Sequence, residues 1–269
     1  MMTPCSDTVI LSDLHLGSEV SRAQAALRLL RGISFRRLIL LGDIFCDLNF
    51  RRLKKEHWQF LSYIRKLSNP KRGVEVVWVE GNHDQGLTDV MSHLVGIKVY
   101  QHYEWTYQGL RHLAIHGHQF DSFVLGNLKL SKFATRLYLQ LQKLDSRQRH
   151  IVRYLDRLDT MWLRLSEKVA AGALKHAEAI GVQRIFCGHT HEAMQRERNG
   201  IQYSNTGCWT RAGATYVTID EKGVHLHEYD EGTDDHNSGE ERGEADRPAA
   251  DVFELAGLPA DAEYEGVPV

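Results

Sequence analysis

The 269 residues are 42% hydrophobic and 25% charged, with a formal net charge of −2, which suits one large domain or two small ones with a real core. No run approaches the ~20 apolar residues of a membrane span. The N-terminus has no basic segment followed by an apolar stretch, and Cys5, Cys46, Cys187 and Cys208 lie far apart without a C-x-x-C pair. Membrane channel, collagen, coiled-coil rod and disulfide mini-protein are excluded, and a cytoplasmic protein with reduced thiols is expected.

Taken in chain order, one arrangement recurs. A short apolar run ends in a small residue, and residues of metal-ligand type follow at once. Val9-Ile10-Leu11-Ser12 leads to Asp13-Leu14-His15, and a helical pattern follows from Arg22 to Leu30. Leu38-Ile39-Leu40-Leu41-Gly42 leads to Asp43. A second helical pattern, about Leu53 to Leu67, closes at the Asn69-Pro70 turn signal. Val74 to Val79 leads through Glu80 and Gly81 to Asn82-His83-Asp84, and Leu113-Ala114-Ile115 leads to His116-Gly117-His118.

Residues 121–180 read as an insertion with eleven basic and six acidic residues. Its amphipathic stretches, Leu130 to Leu144 and Ile151 to Val169, predict a helical hairpin, followed by a shorter helix stopping near Gly181. The pattern suits either a solvated surface insertion or a lid over a phosphorylated, partly apolar ligand. Ile185-Phe186-Cys187-Gly188 then leads to His189-Thr190-His191. Asn199-Gly200 signals a hairpin, and short strands at Ala214 to Ile219 and Val224 to Tyr229 predict an antiparallel part of a mixed second sheet.

The end of the chain changes character. From Glu228 onward fourteen acidic residues stand against two basic ones, whereas the preceding chain carries 31 basic and 21 acidic residues. Residues 231–269 cannot bury enough apolar surface to offset their ordering entropy. They are expected to be a disordered acidic tail, with Val252, Phe253 and Leu255 as a short apolar cluster. Residues 1–230 then make up the functional domain.

Alternating strands and helices predict βαβ units with largely parallel pairing. In such sheets functional side chains collect beyond the carboxyl ends of the strands, and all five polar clusters fall there. Asp13, His15, Asp43, Asn82, His116, His189 and His191 supply the donors that two adjacent divalent cations need, with a carboxylate bridging ions roughly 3.5–4 Å apart. Asp13 and His15, like His189 and His191, are two residues apart, so at an extended strand end each pair points to one side. A lone H-x-H is a weak signal, and His225 and His227 are expected on a solvated edge strand. Five segments in a fixed order are a strong signal. No P-loop, dinucleotide-binding glycine loop or G-x-S-x-G elbow is present.

Asp13-Leu14-His15, Gly42-Asp43-Ile44-Phe45-Cys46-Asp47, Gly81-Asn82-His83-Asp84, His116 and Gly188-His189-Thr190-His191 together resemble the calcineurin-like metallophosphoesterase superfamily, over roughly Thr8 to Tyr229. The resemblance implies an α/β fold, a four-layer αββα sandwich of two mixed β-sheets, here with the helical lid insertion. It also implies a dinuclear centre in which Asp13, His15 and His191 hold one ion, Asn82, His116 and His189 hold the second, and Asp43 bridges. Mn²⁺ is the expected metal, with Fe or Zn²⁺ as alternatives. Two such cations would lower the pKa of a bridging water, so that hydroxide attacks phosphorus in line. His83 is expected to protonate the leaving oxygen, oriented by Asp84. Asp47 is expected either to support the ligands, to contact substrate or to cap its own loop; His118 and Asp121 are expected to support the ligands from behind, and Arg22 and Arg51 are candidate phosphate contacts.

His116-Gly117-His118-Gln119-Phe120-Asp121 and Tyr203-Ser204-Asn205-Thr206-Gly207-Cys208-Trp209 are similar to the UDP-2,3-diacylglucosamine pyrophosphohydrolases of lipid A synthesis. The chain has His83 where the best-known members of that branch have Arg, and Cys208 where many relatives have an acidic residue. The likeness implies hydrolysis of a pyrophosphate or phosphodiester bond in a phosphorylated small molecule or glycolipid. It also implies peripheral contact with an anionic membrane surface on the cytoplasmic side of the inner membrane. The alternative is a nuclease or cyclic-nucleotide phosphodiesterase of the same superfamily, its basic body drawn to nucleic acid. A second alternative is a non-catalytic binding scaffold.

Overall fold

The structure, a computed structural model, describes residues 5–86, 96–121 and 152–230. The acidic tail at 231–269 and residues 122–151 of the insertion, including the helix expected over 130–144, lie outside them. In chain order the described strands are β1 (Cys5–Leu11), β2 (Ser34–Leu41), β3 (Glu75–Val79), β4 (Val99–Tyr100), β5 (His102–Tyr107), β6 (Leu110–Ile115), β7 (Arg184–Cys187), β8 (Met194–Arg198), β9 (Ile201–Asn205), β10 (Thr215–Asp220) and β11 (Gly223–Glu228). The α-helices are α1 (Ala23–Gly32), α2 (Lys55–Leu67) and α3 (Val152–Ile180).

The strands form two mixed sheets, one in the order β11-β10-β1-β2-β3-β4 and the other β5-β6-β7-β9-β8. In the first, β1, β2, β3 and β4 run parallel, and β10 and β11 add antiparallel strands at one side. In the second, β6, β7 and β9 are parallel, with β5 and β8 antiparallel at its two edges. The strands at 215–220 and 223–228 therefore extend the first sheet, not the second as the sequence suggested. What they pair with is a long-range matter that a local hairpin pattern does not carry.

Side-chain alternation explains the layering, because successive strand residues face opposite sides of a sheet. Val9 and Leu11 of β1, Leu38 and Leu40 of β2 and Trp78 of β3 pack against Ala23, Ala26, Leu27 and Leu30 of α1 and Phe60 and Ile64 of α2. The intervening Ile10, Ile39, Leu41, Val77 and Val79 meet Trp105, Ala114 and Phe186 of the second sheet. On that sheet's far face Leu113, Ile115, Ile185, Cys187 and Tyr203 pack under Ala170, Ala173, Leu174 and Ala177 of α3. The result is helix, sheet, sheet, helix.

The long helix departs from expectation. One 29-residue α3 replaces the second hairpin helix and the short helix after it. It stops at Gly181, whose φ of +72° lets the Val182 N–H reach back to the Ala177 carbonyl at 2.9 Å. The small residues at 170, 173 and 177 form one stripe at helical spacing, which draws the backbone close to the sheet. The stretch Ala170–Ala177 is an outer layer of the sandwich. Among the described residues no helix is long and apolar enough to cross a membrane.

Phe186, 1% exposed, fills the space between the sheets. Phe186→Ala is expected to lower stability by about 3–5 kcal/mol, read as a lower midpoint in urea denaturation with the slope unchanged.

Candidate metal centre

The polar clusters sit where the parallel strands end, and backbone hydrogen bonds carry the pairing past the strands into the loops. Asp13 N–H donates to the Gly42 carbonyl (3.1 Å), His15 N–H to the Asp43 carbonyl (3.0 Å) and Leu16 N–H to the Ile44 carbonyl (2.7 Å). In the second sheet Gly188 N–H donates to the His116 carbonyl (3.0 Å), and across the sandwich Trp209 N–H donates to the Asp13 carbonyl (3.1 Å). Asp13, His15, Asp43, His189 and His191 all hold φ between 48° and 69°. They are five of the seven non-glycine residues with positive φ among those described. Each such conformation costs about 1–3 kcal/mol and concentrates where function requires a fixed side-chain direction. Two glycines are needed for close approach: a Cβ at Gly42 would overlap the His116 ring, and one at Gly81 would overlap the Asp43 amide and carboxylate.

Two groups of donors result, with Asp43 at the junction. In one, the His191 Nε2 is 3.1 Å from Asp13 Oδ1 and 3.1 Å from His15 Nε2, and His15 Nε2 is 3.8 Å from Asp13 Oδ1. In the other, His116 Nε2 is 3.3 Å from Asp43 Oδ2, and Asp43, His116 and His189 each offer a ligand atom to the cluster. Asn82 joins through its Oδ1, 3.1 Å from His189 Nδ1. Two donors bound at about 2.1 Å to one ion and at right angles to each other lie about 3 Å apart, and these separations fit that spacing. Asp13 Oδ1 and His116 Nε2 are buried and make no aligned hydrogen bond despite their short contacts. One lies in each donor group, and a cation bound there would satisfy it. The donor set of carboxylate, imidazole and amide oxygen fits a divalent ion such as Mn²⁺, Fe²⁺ or Zn²⁺.

Backbone contacts fix which ring nitrogen is free to serve as a ligand. His116 Nδ1 lies 2.9 Å from the Leu41 carbonyl, which can only accept, so Nδ1 carries the proton and Nε2 turns to Asp43. His189 N–H donates to Asp13 Oδ2 (3.0 Å) and His83 N–H to Asp43 Oδ1 (2.8 Å), leaving the other oxygen of each carboxylate toward the imidazoles. Burial disfavours charge on His116, but Asp43 and Asp13 outweigh it and raise its pKa to about 9. His191 is likewise driven well above the usual histidine range, Asp13 overcoming burial. Burial and the neighbouring His191 push His15 the other way, to about 3, so it stays neutral.

Protons and metal ions compete for the same lone pairs on His116 and His191. Because the neighbouring carboxylates favour the protonated form of both imidazoles, a bound metal would have to expel those protons, and affinity is expected to climb with pH. Calorimetric titration with Mn²⁺ in buffers of different ionisation enthalpy is expected to show proton release at pH 7.

His83 sits at the junction, its Nε2 3.8 Å from Asp43 Oδ2 and its ring edge-on to His15 with centroids 5.1 Å apart. The geometry also makes it a possible donor with His15 and Asp43. The group that orients it is the Cys46 carbonyl, 2.9 Å from Nδ1. Asp84 does not take that part. Its carboxylate accepts from Gly81 N–H (2.6 Å) and Ile44 N–H (3.0 Å), tying the Asn82 loop to the Asp43 loop. Burial and the nearby Asp43 raise the Asp84 pKa to about 6. Asp84→Ala is expected to cost about 1–3 kcal/mol for each N–H it leaves unpaired, seen as a lower melting midpoint together with weaker metal binding.

The remaining candidates are placed less centrally. Asp47 caps its own loop through Asn49 N–H (2.9 Å) and pairs with Arg52 (2.5 Å). Arg22 donates to the Arg211 carbonyl (3.1 Å). His118 stacks obliquely beside His116, centroids 5.6 Å apart, and burial lowers its pKa to about 4. His225 and His227 lie on edge strand β11, against Asp220 and Thr218. Two contributors were given no role in the sequence reading. Asn205 holds the Gly188 carbonyl (2.7 Å) and Thr190 hydroxyl (3.2 Å) from below, and Arg211 holds the His191 carbonyl (2.8 Å). An Asn-Thr-Gly run directly after a strand was the available signal for the first; nothing local marked Arg211.

Residues 7–223 match the family described as the calcineurin-like phosphoesterase superfamily domain. No curated protein matches the chain. Among solved structures it is similar to Yfce, a phosphoesterase from E. coli, at 16% identity over 81% of this chain and 90% of that one, with a TM-score of 0.45. It is similar to an archaeal phosphodiesterase at 13% identity over 82% and 98% of the two chains, TM-score 0.45. Vacuolar protein sorting 29 from Cryptosporidium parvum is similar at 13% identity over 83% and 96%, TM-score 0.44.

Proposed function

The chain belongs to the calcineurin-like phosphoesterase superfamily, and on that premise we propose that it is a two-metal hydrolase of a pyrophosphate or phosphodiester bond. The observation that carries this is that the buried carboxylate of Asp43 is shared by two donor groups, one with His15 and His83 and one with His116 and His189, while His15 also joins Asp13 and His191. Asp13, His15 and His191 would hold one ion, Asn82, His116 and His189 the other, and Asp43 would span them. When bound, two divalent cations supply Lewis acidity: they acidify water and neutralise phosphoryl oxygens.

The chain's own residues do the rest. With Nδ1–H held by the Cys46 carbonyl, the transferable proton of His83 sits on Nε2, the nitrogen that faces Asp43. His83 gives that proton to the leaving oxygen as the phosphorus–oxygen bond breaks and is left as neutral imidazole. Asp84 keeps the His83 loop in register with Asp43. The favoured substrate is a nucleoside-diphosphate glycolipid of the UDP-2,3-diacylglucosamine type, met at the cytoplasmic face of a membrane. The sequence phrases His116 to Asp121 and Tyr203 to Trp209 support that branch, as does the basic surplus ahead of Glu228.

A panel of UDP-diacylglucosamine, a bis-aryl phosphodiester and single-stranded DNA, each with Mn²⁺ and with chelator, tests the reading. Metal-dependent cleavage of the first is expected. Cleavage of DNA alone would replace it with a nuclease, and no cleavage with any metal would make the chain a binding scaffold. His83→Ala should keep both ions and lose roughly 10²–10⁴-fold in turnover, whereas Asp43→Asn should lose metal by elemental analysis of the purified protein.

A further inference from the structure

The two nitrogens of His189 face different partners. Nδ1 is 3.1 Å from Asn82 Oδ1 and Nε2 is 3.2 Å from Asp121 Oδ2. Asp121 is 3% exposed, so its carboxylate has little water to satisfy it. It does not belong to any of the donor groups around Asp13, Asp43 or His116. An ionised carboxylate only accepts hydrogen bonds, so Nε2 carries a proton. In the neutral ring that leaves the Nδ1 lone pair facing an amide oxygen, and two lone pairs meet well at 3.1 Å only with positive charge between them.

The position of Asp121 is itself built. Gly117 holds φ at +109° and turns the chain after His116 into the tight turn His118–Phe120, which Asp121 closes. Phe120 anchors that turn on α3, against Gly172 and 5.6 Å from the His176 ring. The outer helix thus holds the turn, the turn holds Asp121, and Asp121 holds His189.

We propose that Asp121 is the positioning residue of the second ion site: it fixes His189 with Nε2 protonated, so that Nδ1, beside Asn82, is the ligand atom. The inference rests on the two-metal reading and extends it to a residue outside the ligand set. An outer carboxylate on a ligand imidazole sets ring orientation and basicity, and its loss typically weakens metal affinity 10–100-fold.

The test is calorimetric titration with Mn²⁺ alone, without substrate. Wild type should bind two ions. Asp121→Ala should weaken one site about 10–100-fold and leave the other unchanged, and Asp121→Asn, which keeps the shape and an accepting oxygen, should weaken it less. In a His191→Ala background, where the second site remains, Asp121→Ala should still weaken binding. In an Asn82→Ala background, where the first remains, it should not. Damage to the fold would depress both sites alike and, like full affinity at both in Asp121→Ala and Asp121→Asn, overturns the proposal while the two-metal reading stands. A wild-type chain that binds no divalent ion overturns both.

Discussion

Asp13 and Asp43 lie side by side in the protein interior, fully removed from solvent, each at the end of a parallel strand with one oxygen held by a backbone N–H and the other facing imidazoles. Removing a carboxylate from water costs several kcal/mol unless opposite charge accompanies it. Among the described residues that charge can come from protons on the facing imidazoles, His116 and His191 foremost, or from cations held by the same atoms. The need to neutralise two neighbouring carboxylates explains the surrounding arrangement: four imidazoles, an amide oxygen, and chain turned into left-handed conformations at five ligand-type positions.

The sandwich makes that crowding affordable in structural terms. Parallel strands β1, β2 and β3 deliver Asp13, Asp43 and Asn82 at one end, and β6 and β7 deliver His116 and His189 opposite them. The apolar layer of Ile10, Ile39, Leu41, Phe186 and their neighbours fixes the two sheets against each other, so Asp, Asn and His side chains from distant parts of the chain meet within a few ångströms. The strained loops borrow stability from the large buried surface behind them. A single methyl at Gly42 or Gly81 would collide with the His116 ring or the Asp43 carboxylate, which ties the local backbone to the site.

Much of this was legible in the sequence, and the failures have physical causes. Apolar runs ending in Asp, Asn or His marked β1, β2, β3, β6 and β7, because buried parallel strands read as continuous hydrophobic stretches. Edge strand β5, His-Tyr-Glu-Trp-Thr-Tyr, gave no such run: its alternate side chains face outward. The hairpin of β10 and β11 was visible, but its partner, β1, lies some two hundred residues away in the chain. Asp84 looked like a partner for His83 because it is adjacent, yet an Asp in a tight turn takes nearby backbone N–H groups first. Neither the Cys46 carbonyl nor the Asp121 carboxylate could be assigned to its histidine from spacing, since both contacts are made by folding and not by sequence neighbours.

Crystals grown with Mn²⁺ and measured at its absorption edge test the central claim most directly. Two anomalous peaks about 3.5–4 Å apart should flank the Asp43 carboxylate, one contacting Asp13, His15 and His191 and the other Asn82, His116 and His189. A single peak, or a pair that leaves Asp43 unligated, would contradict it.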